Sequence, residues 1–95
     1  MRYIDTFREG MHIADVYLCK NKQIALTKNG KEYGNLVMQD KTGTIDAKIW
    51  DLGSPGVGKF ETMDYVHVEA DVTLFQNSFQ LNVRRIRRAQ EGEYV

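Results

Sequence analysis

The chain has one cysteine, one proline and no net charge, with thirteen lysines and arginines set against thirteen aspartates and glutamates in 95 residues. Each shortage removes a class of protein. Cys19 alone cannot build an internal disulfide framework, and with only His12 and His67 beside it there is no zinc-ligand spacing. Cys19 therefore reads as a small buried apolar residue in a reducing compartment, and the two histidines as ordinary surface or half-buried residues. One proline and 42% hydrophobic residues exclude a disordered tail. No apolar run has the length of a signal-peptide core or a membrane span, and the opening MRYIDTFREG places Asp5 and Glu9 where such a run would begin. A cytosolic protein without a membrane partner is expected. Because the charges balance, a polyanion would have to be held by local placement of charge and not by a net field. The length implies one domain over 1-95, with about 1-10 as an N-terminal extension and about 87-95 as a C-terminal linker.

Also missing is a sustained helical stripe; what recurs is a period of two. In YVHVEADVTLF, Tyr65 to Phe75, the residues Val66, Val68, Ala70, Val72 and Leu74 share one face. Their neighbours share the other, as in a half-buried strand. TIDAKIW, Thr44 to Trp50, sets Ile45, Ala47 and Ile49 against Asp46, Lys48 and Trp50. Before it, Asn35 to Gln39 alternates Leu36 and Met38 with Asn35, Val37 and Gln39, and Asp40-Lys41-Thr42-Gly43 is a tight-turn sequence, so two strands pair as a hairpin. Ile13 to Thr27 contains two β-leaning pieces, either one long bent strand or a small hairpin. After a turn at Gln76-Asn77-Ser78, FQLNV alternates Phe79, Leu81 and Val83 with Gln80 and Asn82. The expected fold is all-β: a five-stranded Greek-key OB-fold barrel with a loop or short helix between strands 3 and 4. An SH3-like barrel is the alternative.

That connector holds a motif which looks like chemistry. GSPGVGKF, Gly53 to Phe60, fits the phosphate-loop pattern G-x-x-x-x-G-K-[ST] except at its last position. Phe60 has no hydroxyl to hold magnesium, and the chain is too short for the βαβ units that such a loop serves. The glycines are better read as a flexible crossing, with Phe60 packed inward. No catalytic residue, metal or cofactor is expected, since nothing assembles a nucleophile, a base and an orienting group.

NLVMQDKTGTIDAKIWD, Asn35 to Asp51, resembles the strand-turn-strand signature of OB domains of the tRNA-anticodon-binding class. MQDKTGTIDAKIWD, continued by DVTLFQNSFQLNVRRIRRAQ, is similar to the N-terminal OB domain of YhaM-type 3′-to-5′ exoribonucleases. In that family an HD-type phosphohydrolase domain follows and performs the cleavage. The resemblance thus implies the binding half of such an enzyme, or a freestanding relative, that takes single-stranded nucleic acid, RNA more than DNA. The Asp-x-Thr-Gly turn, the Ile-Trp that follows and the later Phe also resemble the single-strand-binding OB domains of replication protein A. There the corresponding positions, Trp50 and Phe75 here, stack on bases.

The alternation supports the same surface without the family. Trp50 and Phe75 fall on the faces opposite the core residues, and Tyr33 extends the outward register of Asn35, Val37 and Gln39. Tyr33 adjoins the loop Lys28-Asn29-Gly30-Lys31. Aromatics beside mobile lysines suit sequence-tolerant single-strand binding, and Lys48, Lys31, Lys28, Asn35 and Gln39 add donors for phosphates or base edges. In RRIRR, Arg84 and Arg85 are candidate phosphate contacts, or else part of a solvated strand end paired with Glu91 and Glu93. Trp50 stacks on bases or caps a barrel mouth; Phe75 stacks or packs on Tyr3, Ile4 or Phe7. Asp46 is expected to oppose phosphate or to pair with Lys48. The competing function is a protein-interaction or homo-oligomerisation module, because OB barrels dock proteins with the same surfaces.

Overall fold

The computed structural model describes residues 2–94. Five strands, β1 (His12–Leu26), β2 (Glu32–Asp40), β3 (Gly43–Ile49), β4 (Tyr65–Phe75) and β5 (Ser78–Arg88), close into a barrel in the order β1-β2-β3-β5-β4. All contacts between neighbours are antiparallel except the β3–β5 pairing, which is parallel. This is the OB arrangement and not an SH3-like one.

β1 is one bent strand. Its first half pairs with β4 and its second with β2, and the ladder slips between Cys19 and Asn21. One extra residue there turns the strand from one partner to the other, as β-bulges do at barrel corners. β2 and β3 form the expected hairpin. Its turn is tied by Asp40, whose carboxylate accepts from the backbone N–H and the hydroxyl of Thr42.

The alternation places the core as expected at Leu36, Met38, Ile45, Ala47, Ile49, Val66, Val68, Ala70, Val72 and Leu81, all buried, and Cys19 is fully buried among them. Burial pushes the Cys19 thiol up to about 11, so it stays protonated at neutral pH. Leu74 and Phe79 depart from the expectation. They face each other at the end of the β4–β5 hairpin, 48% and 37% exposed, because the hairpin overshoots the barrel and its inner face has nothing left to cover. The turn there is the pair Gln76-Asn77, with φ of 50° and 65°.

The described residues near both termini join the domain more closely than expected. Residues assigned to an N-terminal extension form a 3₁₀ turn, Ile4–Thr6, that buries Ile4 and Phe7 in the core. Phe7 meets Tyr17 edge to face at 6.0 Å, and the buried Tyr17 hydroxyl donates to Arg2 O. RRIRR lies within β5 instead of leading out of it. Ile86 is buried between the arginine pairs, which the charges conceal in the sequence. Beyond β5, Ala89 N–H donates to Tyr65 O and Tyr94 stacks on Tyr65 with ring centroids 4.4 Å apart.

The connector contains no helix. Gly58 N–H donates to Ile86 O at 2.8 Å, Ile86 N–H donates to Gly56 O at 3.0 Å, and Val57 bridges Ile86 in parallel. Residues 56–58 thus continue the sheet along β5 where β3 has ended. A Cβ on Gly56 would stand 3.1 Å from Arg84 O. Phe60 is 1% exposed, packed in the core as the sequence suggested.

Candidate nucleic-acid interface

The outward residues of β2, β3 and β5 form one polar surface, because antiparallel partners and parallel neighbours at matched register share a face. Asn35 lies opposite Lys48, and Lys48 lies beside Asn82; one row further along the strands, Val37, Asp46 and Gln80 line up in the same way. Lys48 Nζ donates to Asn35 Oδ1 at 2.5 Å. Lys48 is therefore held by Asn35 and not by Asp46, the partner considered from sequence. Gln39 is further along β2, opposite Thr44.

At the β2-start end of this surface the Tyr33 and Trp50 rings meet, with centroids 5.0 Å apart and planes tilted by 33°. They meet because each lies one residue beyond the Gly34–Ile49 pair, which puts Trp50 directly across from Tyr33. A Cβ on Gly34 would approach Ile49 Cβ to 3.1 Å. Trp50 sits just past the end of β3, is 43% exposed and lies outside the buried core. Lys28 and Lys31 are exposed in the adjoining β1–β2 loop, where Thr27 N–H donates to Lys31 O and Gly30 takes a φ of 82°. Four of the sequence candidates, Tyr33, Asn35, Lys48 and Trp50, are thus contiguous, with the loop lysines beside them.

Phe75 does not join this cluster. It sits 57% exposed at the tip of the β4–β5 hairpin, next to the start of β3, about 20 Å from Trp50 at roughly 3.3 Å per residue from Thr44. The residue that lines a cleft with Ile4, Phe7, Arg8, Thr42 and Thr44 is Phe79. Phe79, Gln80 and Asn82 were missed from sequence. Phe79 carries the parity of a core residue, and the two amides become part of the face only through the parallel β3–β5 contact.

The arginines of β5 are mostly engaged. Arg84 Nε donates to Asp71 Oδ2 at 2.6 Å, and His12 Nδ1 lies 3.0 Å from Asp71 Oδ1. These contacts, His12 first and Arg84 second, hold the Asp71 carboxyl below the usual range. Arg87 forms two hydrogen bonds to Glu93, at 2.7 and 2.8 Å, and Arg88 Nε donates to Asp64 at 2.9 Å. Glu93 is a partner considered from sequence; Asp64 and Asp71 are not. Arg85 forms no ion pair among the described residues, and it pairs in register with Glu69.

The surface has no reactive constellation. Among the described residues no group of His, Cys, Asp and Glu side chains is placed to hold a metal ion, and no helix is long and apolar enough to cross a membrane. It offers stacking, amide hydrogen bonds and unpaired lysines.

No family model matches the chain. It is 38% identical over 82 residues to a 3′-5′ exoribonuclease YhaM of Geobacillus sp. (strain WCH70), covering 85% of this chain and 25% of that protein. With the YhaM exoribonuclease of Bacillus velezensis it shares 33% identity over 86 residues, 90% of this chain and 27% of the relative. The chain thus spans about a quarter of the length of the curated relatives it matches. Among solved structures it superposes on the second OB-fold domain of replication protein A from Methanococcus maripaludis with a TM-score of 0.68 and 16% identity, covering 96% of both chains. A replication protein A heterotrimer bound to single-stranded DNA gives a TM-score of 0.67 and 20% identity, covering 93% of this chain and 64% of that one. The chain is an OB-fold domain, similar over most of its length to about a quarter of the YhaM 3′-5′ exoribonucleases.

Proposed function

We propose that this domain binds single-stranded nucleic acid, RNA in preference to DNA, and presents it to the catalytic domain of a longer cytosolic 3′-to-5′ exoribonuclease. The observation that carries the reading is the pair of exposed Trp50 and half-buried Tyr33, set beside Lys28 and Lys31 and followed along β3 by Lys48. A base laid on Trp50 gains about 1 to 3 kcal/mol from stacking, while the lysines track the backbone. Asn35, Gln39, Gln80 and Asn82 supply amides along the path, and Phe75 is a second stacking platform at its far end. Arg85 is the stronger phosphate contact of the β5 pair, since Arg84 already serves Asp71. The preference for RNA rests on the exoribonuclease relatives, and the single-strand reading on both them and the replication protein A likeness.

Trp50 is the only tryptophan, so its fluorescence reports the site directly. Titration with poly-U and poly-dT oligomers is expected to quench it, with tighter binding to poly-U, weaker binding at higher salt, and a loss of about tenfold or more on Trp50→Ala. Binding that ignores Trp50, Tyr33 and Phe75 would reject this site. No binding at low salt would leave a protein-interaction module.

A further inference from the structure

β1 is a barrel strand in its first half and an edge strand in its second. His12 to Leu18 pair with β4, and Leu18 to Leu26 pair with β2. Past Leu18 the connector takes over the side that β4 leaves. Cys19 N–H donates to Asp64 O, Cys19 O accepts from Met63 N–H, and Lys22 N–H donates to Thr62 Oγ1. There the cover ends.

Hydrogen-bond parity shows what lies open beyond it. In an antiparallel ladder, successive residues direct their N–H and C=O groups to opposite sides. Thr27 N–H donates to Lys31 O across the loop, so Thr27, Ala25 and Gln23 bond toward β2, and Lys22, Ile24 and Leu26 bond away from it. The Lys22 N–H to Thr62 contact agrees with that parity. The N–H and C=O groups of Ile24 and Leu26 therefore face a side on which, among the described residues, no strand runs. Their side chains are 48% and 66% exposed. Ile24 stands opposite Gly34, which has no side chain to cover it.

We propose that the open edge from Lys22 to Leu26 receives an extended acidic segment of a partner protein, which adds to the sheet as a further strand. Charge selects this occupant. Lys20, Lys28 and Lys31 are exposed around the edge, against the exposed acids Glu32 and Glu61, which leaves a positive excess. A second copy of the chain paired antiparallel about Ile24 would set Lys20 directly opposite Lys28, a like-charge pairing that opposes association. A strand that alternates carboxylates with apolar side chains lays its apolar residues against Ile24 and Leu26, directs its acids to the lysines and completes the backbone hydrogen bonds. The backbone edge lies apart from the aromatic pair of the nucleic-acid surface, and the two sites meet at the loop lysines Lys28 and Lys31. Ile24 shares its face with Gly34, whereas Tyr33 shares the opposite face with Ala25.

The probe is a capped synthetic peptide of alternating glutamate and valine, titrated into the ¹⁵N-labelled domain. The Ile24 and Leu26 amides are expected to shift and to exchange more slowly with solvent, while those of Gln23 and Ala25, already bonded to β2, change little. Ile24→Pro removes one outward N–H at an edge position where proline is tolerated, and is expected to weaken the peptide about tenfold while leaving the fold and oligonucleotide binding intact. As a second variant, Leu26→Asp keeps every backbone group and places a like charge before the incoming acids; it too weakens the peptide. Unchanged Ile24 and Leu26 amides would overturn the proposal. So would self-association abolished by Ile24→Pro, or oligonucleotide and not peptide shifting those amides.

Discussion

Trp50 and Tyr33 show how single positions decide what this barrel presents. Each is outward by simple alternation, and they touch because each lies one residue beyond the Gly34–Ile49 pair, directly across from the other. Gly34→Val would drive its side chain into Ile49, part the strands and disperse the aromatic pair, so Trp50 emission would shift even without ligand. Glu93 acts at the other end of the chain. Two hydrogen bonds from Arg87, with a further one from Gln90 N–H, lower its carboxyl from the usual 4.5 to about 2. A depressed carboxylate stabilises the fold above its unfolded value, and that contribution is lost as pH falls through the folded one. The tail should therefore stay docked at neutral pH and detach between about pH 4.5 and 2, with the Tyr94 resonances losing their contacts to Tyr65 over that range. A tail equally docked at both ends of that range would refute the Arg87–Glu93 attachment.

Among the elements, the connector separates pattern from structure most sharply. In the phosphate-loop pattern Gly53 and Gly58 are the fixed positions and Gly56 is free to vary. In the fold the order reverses. A Cβ on Gly56 would meet Arg84 O at 3.1 Å, whereas one on Gly53 would meet only Asp51 Oδ1 at 3.7 Å. Gly56→Val should cost about 1 to 3 kcal/mol by lifting the connector off β5, and Gly53→Ala should be close to neutral; thermal unfolding of the two variants checks both. Legibility followed the same division. The bounds of β4 were readable to the residue, because burial alternates from Tyr65 to Thr73 and fails only at Leu74. The second half of β5 was not, since the β4–β5 ladder slips by one residue at Arg84 and puts Ile86 in the core against the parity of Leu81 and Val83. The 3₁₀ turn was not either, because Ile4 and Phe7 carry no strand period. For the candidate interface, alternation revealed which side chains point outward but not which meet. Meeting depends on strand order, and the parallel β3–β5 contact that brings Asn82 to Lys48 joins residues far apart in the chain.

At the scale of the molecule, a chain of zero net charge has no long-range pull on a polyanion, so its salt response counts only the contacts it makes. If Lys28, Lys31 and Lys48 each neutralise one phosphate, the logarithm of the affinity should fall with the logarithm of salt with a slope of about −2. A slope near zero would mean that stacking alone holds the strand. The barrel itself is closed unevenly. Its β4–β5 ladder runs from Val66 to Phe75, but β3 and β5 pair only from Asp46 to Lys48, with residues 56–58 filling in beyond. Viewed as a cylinder under tension, this is the seam along which the wall would split first, and the amides of Ala47 and Leu81 would report the opening by hydrogen exchange. Lys48 and Asn82 flank that seam. An oligonucleotide gripping both would act as a stitch across it, so its affinity would appear a second time, as slower exchange in the wall beneath.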